Sequence, residues 1–255
     1  MPSLKLRTQD MEKKSQVYGL RAIIEAVEAG QPVQKVYFQK GLKGTLAKEL
    51  EFLLRKEGIS TSYVPIEKLN RLSKNNHQGA IANISPVAFS DFETLIEKVV
   101  QEKKEPFFLL LDSITDVRNF GAIIRTAECC GVDGIIVPQQ GSAPITDDTV
   151  KTSAGAAFRV PIAKVSHLKD AIFYLQSHQI AVVAATEKAN DELFSLDVSG
   201  PCAVIMGSED TGISPSILKA ADKRAKLPLM GSIGSLNVSV ACGVFLYEVV
   251  RQRLS

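Results

Sequence analysis

The second half of the chain alternates short apolar runs with amphipathic segments. Four runs are almost wholly apolar, at 107–111, 134–137, 180–185 and 202–206. Helix-like segments lie between or after them, at 121–130, 147–156, 166–177, 215–221 and 237–253. Continuous apolar strands that alternate with helices are typical of a parallel sheet covered by helices on both faces. We therefore expect an α/β domain over residues 106–255.

The first part of the chain carries a shorter pattern of the same kind. Helical periodicity covers 18–29 and 46–57, and a glycine follows each segment. Three β-prone runs lie at 35–38, 61–64 and 80–84, and one further helical segment lies at 66–72. This alternation predicts a small α/β domain over residues 15–86. The charged amphipathic stretch before Pro106 is expected to form a helical linker, over residues 87–105.

Charge is distributed unevenly between the two predicted domains. The formal net charge is only +2, but residues 1–80 carry 14 Lys and Arg against 8 Asp and Glu, whereas residues 81–255 carry 16 against 20. A basic first third favours a polyanionic partner. A solvated charged surface without a partner explains the same asymmetry.

Composition narrows the class of protein. Hydrophobic residues make up 45% and charged residues 23% of the chain, as in ordinary globular proteins. No stretch approaches the roughly 18 uninterrupted apolar residues of a membrane span. Residues 1–16 are polar and do not resemble a secretory signal. Four cysteines, two of them adjacent at Cys129 and Cys130, match neither a disulfide framework nor a zinc site. We expect a cytoplasmic protein without a metal.

Ligands of parallel sheets bind in the loops at the carboxyl ends of the strands. Chemistry is therefore expected after Leu111, Ala185 and Met206 and around 227–229. The glycine fingerprint of dinucleotide-binding domains and the lysine-containing phosphate loop are both absent.

Three clusters of unusual residues lie at these points. In 119–127, Asn119 stands at a natural N-cap position and Arg125 interrupts an apolar helix, although from spacing alone a simple cap and an ion pair are the favoured explanation. In 206–212, Glu209 follows a buried strand among glycines. In 227–241, a glycine-rich loop leads to Ser235 and Asn237, of which Ser235 is the expected N-cap of the last helix. Each cluster alone also fits an ordinary turn.

Together and in this order, the three clusters resemble the SpoU (TrmH-like) branch of the SPOUT methyltransferases. The family pattern is Asn-x-Gly-x-x-x-Arg-Thr-Ala, then Gly-x-Glu-x-x-Gly, then Pro-x-x-Gly followed by Ser-Leu-Asn-Val-Ser-x-Ala. Every named position is present between Asn119 and Ala241. The segment from Tyr18-Gly19-Leu20 to His77-Gln78-Gly79 is similar to the ribosomal-protein-like substrate-binding domain of the subgroup that modifies large-subunit rRNA.

The resemblance implies a fold, a cofactor and a set of site residues. It implies a trefoil-knotted parallel-sheet SPOUT domain that works as a homodimer and binds S-adenosylmethionine, preceded by a small α/β RNA-binding domain. The implied cofactor residues are Gly207, Leu227, Leu236, Met206, Ser235 and Thr186. The implied catalytic residues are Arg125, Asn119, Glu209, Ser235 and Asn237.

The implied reaction is methyl transfer to a ribose 2′-hydroxyl, with a guanosine of large-subunit (23S) rRNA as the target. The very high pKa of arginine makes it a poor general base. We therefore hypothesise that Arg125 positions the ribose or its phosphate and stabilises the developing alkoxide. Basic side chains of the first domain are expected to capture RNA, namely Lys35, Lys40, Lys43, Arg71 and Lys74. His77 either stacks on RNA or fills a turn.

Three other functions fit parts of the sequence. A tRNA ribose methyltransferase shares the same motifs. An RNA-binding ribosome assembly factor with an inactive site is disfavoured because Asn119, Arg125, Glu209 and Asn237 are all present. A dinucleotide-dependent dehydrogenase fits the fold class but lacks the glycine fingerprint.

Overall fold

The computed structural model describes residues 16–255. The chain divides into two compact units, with the division between Ala88 and Phe89. The polar N-terminal stretch that we expect not to be a secretory signal lies outside the described residues, except for Gln16.

The first unit is a four-stranded mixed sheet with helices. Its strands are β1 (Gln16–Tyr18), β2 (Val33–Gln39), β3 (Ser60–Val64) and β4 (Ala80–Ile84), in the spatial order β1-β4-β2-β3. Its helices are α1 (Leu20–Glu28), α2 (Thr45–Lys56) and α3 (Ile66–Leu72). Strand β4 runs antiparallel to β1 and β2, and β2 runs parallel to β3.

Side-chain alternation in β2 separates the two faces of this sheet. Val36 and Phe38 belong to the buried cluster that contains Ile23 of α1 and Leu50 of α2. Tyr37 points to the opposite face, since successive strand residues alternate. On that face a smaller cluster joins Tyr37 and Tyr18 to Ile81 of β4 and Leu69 of α3.

The second unit contains a six-stranded, wholly parallel sheet. Its strands are β5 (Phe107–Asp112), β6 (Gly134–Pro138), β7 (Ile162–Val165), β8 (Ala181–Ala185), β9 (Cys202–Gly207) and β10 (Lys223–Ala225), in the order β10-β8-β9-β5-β6-β7. Every residue of β5 and β9 is buried. This burial explains why both strands are continuous apolar runs in the sequence.

Helices cover both faces of the second sheet. They are α4 (Phe92–Glu102), α5 (Val117–Cys129), α6 (Asp147–Thr152), α7 (Leu168–Ser177), α8 (Pro215–Ala220) and α9 (Val238–Arg253), with short 3₁₀ turns at Ala156–Phe158 and Leu193–Ser195. Phe108 and Leu110 of β5 share one buried cluster with residues of α4, α7 and α8. Helix α9 packs against β9, and the Arg253 guanidinium of α9 lies 5.0 Å from the ring centroid of Phe107. The expected α/β architecture with a parallel sheet is confirmed.

The segment expected to be a linker forms the helix α4. Asp91 caps this helix by accepting a hydrogen bond from the backbone N–H of Thr94 (2.9 Å). Leu95, Ile96 and Val99 are buried in the core cluster of the second unit. Helix α4 is therefore part of that unit, because its apolar side covers the sheet.

No helix within residues 16–255 is both long enough and apolar enough to cross a membrane. In the same part of the chain, no group of three or more His, Cys, Asp or Glu side chains is arranged to hold a metal ion.

Candidate active site

A cavity of about 320 Å³ opens at the carboxyl ends of three neighbouring strands, β10, β8 and β9. Its walls come from the loops that follow these strands and from the start of α9. The lining includes all six residues that the sequence predicts for the cofactor, namely Thr186, Met206, Gly207, Leu227, Ser235 and Leu236. It also includes residues that the sequence analysis missed, among them Glu187, Lys188, Lys226 and Phe245. Residues 187, 188 and 226 lie within three residues of the ends of β8 and β10, and this position in the sequence could have marked them as site residues.

A tight turn after β9 forms one wall. Ser208 and Gly212 exchange two backbone hydrogen bonds, of 2.9 and 3.2 Å. A Cβ atom on Gly207 would lie 2.2 Å from the carbonyl carbon of Gly212 and from the nitrogen of Ile213. Only glycine fits at position 207, since real Cβ contacts are never this short. The turn carries Glu209 at its tip.

The segment 227–236 forms a second wall and has no regular secondary structure. Within the described residues, none of its backbone N–H or C=O groups forms a hydrogen bond with another protein group. Residues 228–236 are all exposed, so solvent can reach these groups. These groups are therefore free to bind a ligand or water.

A hydrogen-bonded network joins all three sequence clusters. The side-chain Nδ2 of Asn237 donates to Oε1 of Glu209 (2.6 Å) and to Oδ1 of Asn119 (3.0 Å). The backbone N–H of Val238 also donates to the Glu209 carboxylate (3.3 Å). Residues separated by 118 positions in sequence therefore meet beside the cavity.

The two expected helix caps are wrong by two or three residues. Asp116, not Asn119, caps α5, and its carboxylate accepts a hydrogen bond from the backbone N–H of Asn119 (2.8 Å). Asn237, not Ser235, caps α9 through its Oδ1, which accepts from the backbone N–H groups of Ser239 and Val240. Asn119 thus lies inside the first turn of α5, so its side chain is available to the network.

Arg125 lies on the exposed face of α5 and does not line the cavity. Within residues 16–255 its guanidinium forms neither an ion pair nor a hydrogen bond, so the ion-pair interpretation from the sequence finds no support. Helix α5 packs beside α9, the helix that Asn237 caps.

Asp112 is a buried carboxylate that sequence reasoning missed. It ends β5, and its Oδ2 accepts a hydrogen bond from the backbone N–H of Ser214 (2.7 Å), the N-cap residue of α8. The bond ties the end of β5 to the segment after the Glu209 turn. In the sequence, its place at the end of the apolar run 107–111 could have marked Asp112 as a site residue.

In the first unit, four of the five basic residues predicted to bind RNA are exposed, namely Lys40, Lys43, Arg71 and Lys74. Lys35 is half-buried in β2. His77 is buried, and its two ring nitrogens contact Asn70 (2.9 Å) and the backbone N–H of Gly79 (3.1 Å). His77 therefore fills a turn, and its ring is not available to stack on RNA.

Both units match known protein families. Residues 106–247 match the model of the SpoU rRNA Methylase family, and residues 16–90 match the model described as RNA 2′-O ribose methyltransferase substrate binding. The chain belongs to the SpoU methylase family. YacO, a TrmH family protein of Bacillus subtilis whose name leaves tRNA and rRNA open, is 32% identical to this SpoU chain over 93% of the chain and 95% of YacO.

Solved structures share the fold of this SpoU chain. The SpoU methyltransferase AviRb from Streptomyces viridochromogenes, crystallised with AdoMet, is 26% identical, with a TM-score of 0.60 over 98% of this chain and 94% of AviRb. A TrmH/SpoU tRNA-modifying enzyme of A. aeolicus is 29% identical, with a TM-score of 0.55 over 64% of this chain and 82% of its own. The family assignment from the three motifs is confirmed, and the dehydrogenase interpretation is wrong. The chain is an RNA methyltransferase of the SpoU family.

Proposed function

We propose that this chain transfers a methyl group from S-adenosylmethionine to the 2′-hydroxyl of a guanosine ribose in large-subunit rRNA. The observation that carries the proposal is the network of Asn119, Glu209 and Asn237 beside a cavity at the carboxyl ends of β8, β9 and β10. The network supplies polar groups for a ribose, and the cavity supplies space for a nucleoside cofactor.

The cavity suits S-adenosylmethionine. Its volume falls at the lower end of the roughly 300–1,000 Å³ of small-molecule sites. Apolar side chains such as Met206, Leu236 and Phe245 offer contacts to an adenine ring, and the unpaired backbone groups of 227–236 offer donors and acceptors. AviRb, crystallised with this cofactor, has the same fold. We propose that this segment belongs to the trefoil knot that the family resemblance implies.

When bound, S-adenosylmethionine supplies a methyl group on a sulfonium that leaves readily. The protein must then orient the ribose and assist the loss of the hydroxyl proton. Asn237 uses its Oδ1 for the helix cap and its Nδ2 for Glu209 and Asn119. The Nδ2 of Asn119 and the Oε2 of Glu209 remain without protein partners in the described residues, so they provide one donor and one acceptor to the ribose.

Arg125 is the proposed electrostatic group. Its guanidinium has five donors in a planar fork and no protein partner within residues 16–255. A free guanidinium at the exposed surface of α5 can hold a phosphate of the RNA and stabilise the negative charge that develops on the 2′-oxygen.

We propose that the enzyme is a homodimer formed through α9. Val240, Tyr247 and Leu254 recur every seven residues along one side of this helix and its C-cap, and they are 53%, 54% and 83% exposed. Exposed apolar stripes of this kind mark interaction surfaces. A second subunit seated on this stripe would lie beside α5, which carries Arg125.

The rRNA substrate is favoured by the first unit and by the family description. The match to a substrate-binding domain covers residues 16–90, whose basic side chains include Lys40 and Lys43. A tRNA substrate is the alternative, because the 29% identical A. aeolicus relative is described as a tRNA-modifying enzyme. We propose that residues 15–86 capture RNA and that residues 106–255 carry out catalysis, with α4 as part of the catalytic unit.

The proposal is tested with purified protein and S-adenosylmethionine labelled with tritium in its methyl group. The substrates are 23S rRNA and total tRNA, each from cells that lack the protein, and the RNA is digested to nucleosides after the reaction. We expect label in 2′-O-methylguanosine from the rRNA. Label confined to tRNA would select the alternative, and label on a base or no label would contradict ribose methylation.

Two variants make this test specific. Asn119→Ala removes the free donor of the network and should lower turnover by about 100-fold, as for loss of a positioned donor in a transition state. Asn190→Ala changes an exposed asparagine outside the cavity lining and should keep wild-type turnover.

A further inference from the structure

Two rows of side chains cross the sheet of the first unit on the face that carries α3. The register places Gln16, Asn83, Lys35 and Ser60 directly opposite one another, and the next row contains Tyr18, Ile81, Tyr37 and Ser62. Apart from the buried Ile81, each of these residues is partly exposed. None of the eight is acidic.

Helix α3 packs on the second row, whereas the residues of the first row remain partly exposed. Leu69 of α3 packs with Ile81, Tyr18 and Tyr37. The first row contains a connected set of amides, in which Nε2 of Gln16 donates to Oδ1 of Asn83 (3.1 Å). Oε1 of Gln16 accepts from the hydroxyl of Tyr18 (2.9 Å). The Nδ2 of Asn83 has no partner within residues 16–255, so it remains available as a donor.

Two lysines converge on one tyrosine of this face. Nζ of Lys35 lies 5.3 Å and Nζ of Lys68 lies 5.9 Å from the ring centroid of Tyr37. Neither ammonium has a carboxylate within 4.0 Å in the described part of the chain. Two ammonium groups beside one aromatic ring, both without a carboxylate partner, favour the binding of an anion.

We infer that this face binds an unpaired RNA strand, with Lys35 and Lys68 holding one backbone phosphate above Tyr37 and the Asn83 amide contacting the neighbouring nucleotide. The inference rests on the proposed function, because it specifies how the first unit holds its RNA. Amides at a sheet surface reach the edges of bases only where the bases are unpaired, so the face selects single strands.

The test measures binding by fluorescence anisotropy with the full chain. The probes are a labelled 20-nucleotide RNA of mixed sequence and the matching duplex. For Lys35→Gln/Lys68→Gln, we expect the Kd for the single strand to rise about 10-fold at 0.1 M salt. In a plot of log Kd against the logarithm of the salt concentration, the slope for this variant should be smaller by about 0.7, because one phosphate contact is lost.

The matched control is Lys48→Gln/Lys56→Gln. Both residues are exposed on α2, which packs on the opposite face of the sheet. This control should bind as the wild type does. The charge-preserving Lys35→Arg/Lys68→Arg should also retain affinity, since a phosphate accepts either cation.

The outcomes separate this inference from the proposed function. Equal affinity of the test and control variants, or a loss seen with the duplex alone, overturns the RNA face even when the wild type methylates rRNA. A wild type that methylates no RNA overturns the proposed function, and the RNA face as a substrate site is then rejected with it.

Discussion

Asn237 performs two tasks with one side chain. Its oxygen caps α9, and its nitrogen holds Glu209 and Asn119. In Asn237→Asp, a carboxylate still caps the helix but no longer donates, and it places a second negative charge beside Glu209. We expect kcat to fall by about 100-fold while the free energy of unfolding changes by less than about 1 kcal/mol. Single-turnover methylation and urea unfolding measure the two quantities.

Asn237→Ala is the companion variant. It loses the cap as well as the network, so its free energy of unfolding should fall by about 1 kcal/mol below that of Asn237→Asp. A wild-type kcat in Asn237→Asp would show that the donated hydrogen bonds do not matter.

Arg125 is exposed and has no protein partner in the described residues, so its role is expected to be purely functional. Arg125→Lys keeps the charge but loses the planar fork. We expect unfolding free energy within about 0.5 kcal/mol of wild type and turnover lowered by at least about 10-fold. Arg118→Lys, on the same exposed face of α5, is the control. Near-full turnover in Arg125→Lys would remove Arg125 from the mechanism.

At the scale of elements, α9 serves both the core and the proposed dimer. Phe245, Leu246 and Val249 are buried, whereas Tyr247 is 54% exposed. Tyr247→Glu places a charge in the proposed interface and should shift the protein to monomers in sedimentation velocity, with loss of methyl transfer. Phe173→Glu changes a 51% exposed aromatic residue on α7 and should leave the oligomeric state unchanged. Identical sedimentation of both variants would contradict a dimer through α9.

The edge strand β7 contains a lysine that burial disfavours. Burial lowers the pKa of Lys164 from 10.5 to about 8, and its Nζ lies 3.9 Å from the ring centroid of Phe89. Between these two pKa values the unfolded chain binds more protons than the folded protein. The free energy of unfolding therefore rises with pH across that window.

Replacing this lysine should show the effect directly. At pH 7 Lys164→Met should be more stable than the wild type by about 1–3 kcal/mol, and the difference should shrink as pH approaches 10.5. Lys98→Met, on the exposed side of α4, should show no such dependence. Urea unfolding at several pH values tests this, and a pH-independent difference would show that Lys164 is not destabilised by burial.

Elements with strong periodicity were predictable, and short polar ones were not. The helix at 66–72 and the strand at 80–84 have the bounds expected from the sequence. Strands β1 and β10 have three residues each, and β10 reads Lys-Arg-Ala, so no apolar run marks it. The caps were misplaced because Asp116 and Asn119, like Ser235 and Asn237, are rival cap residues within one turn.

At the scale of the whole molecule, the site was predictable because a parallel sheet gathers its loops at one edge. The residues after β8 and β9 and the glycine-rich segment 227–237 could be placed together on this rule alone. The Asn119–Asn237–Glu209 network could not, since spacing does not determine hydrogen bonds over 118 residues. Nor does the sequence pattern reveal which backbone groups stay unpaired in 227–236.

At the same scale, the charge distribution favours a division of roles between the two units. The first 80 residues carry an excess of positive charge, and the remainder carries an excess of negative charge. Capture of a polyanion by the first unit and chemistry in the second would explain this asymmetry.

The central claim is that the cavity and its neighbouring network methylate one ribose of rRNA. Its most direct test is a map of 2′-O-methylation over all rRNA and tRNA in cells without the protein, restored with the wild type or with Asn237→Asp. We predict that one 23S guanosine loses its methyl group, regains it with the wild type and stays unmodified with the variant. An unchanged map, or a restored site with Asn237→Asp, would contradict the claim.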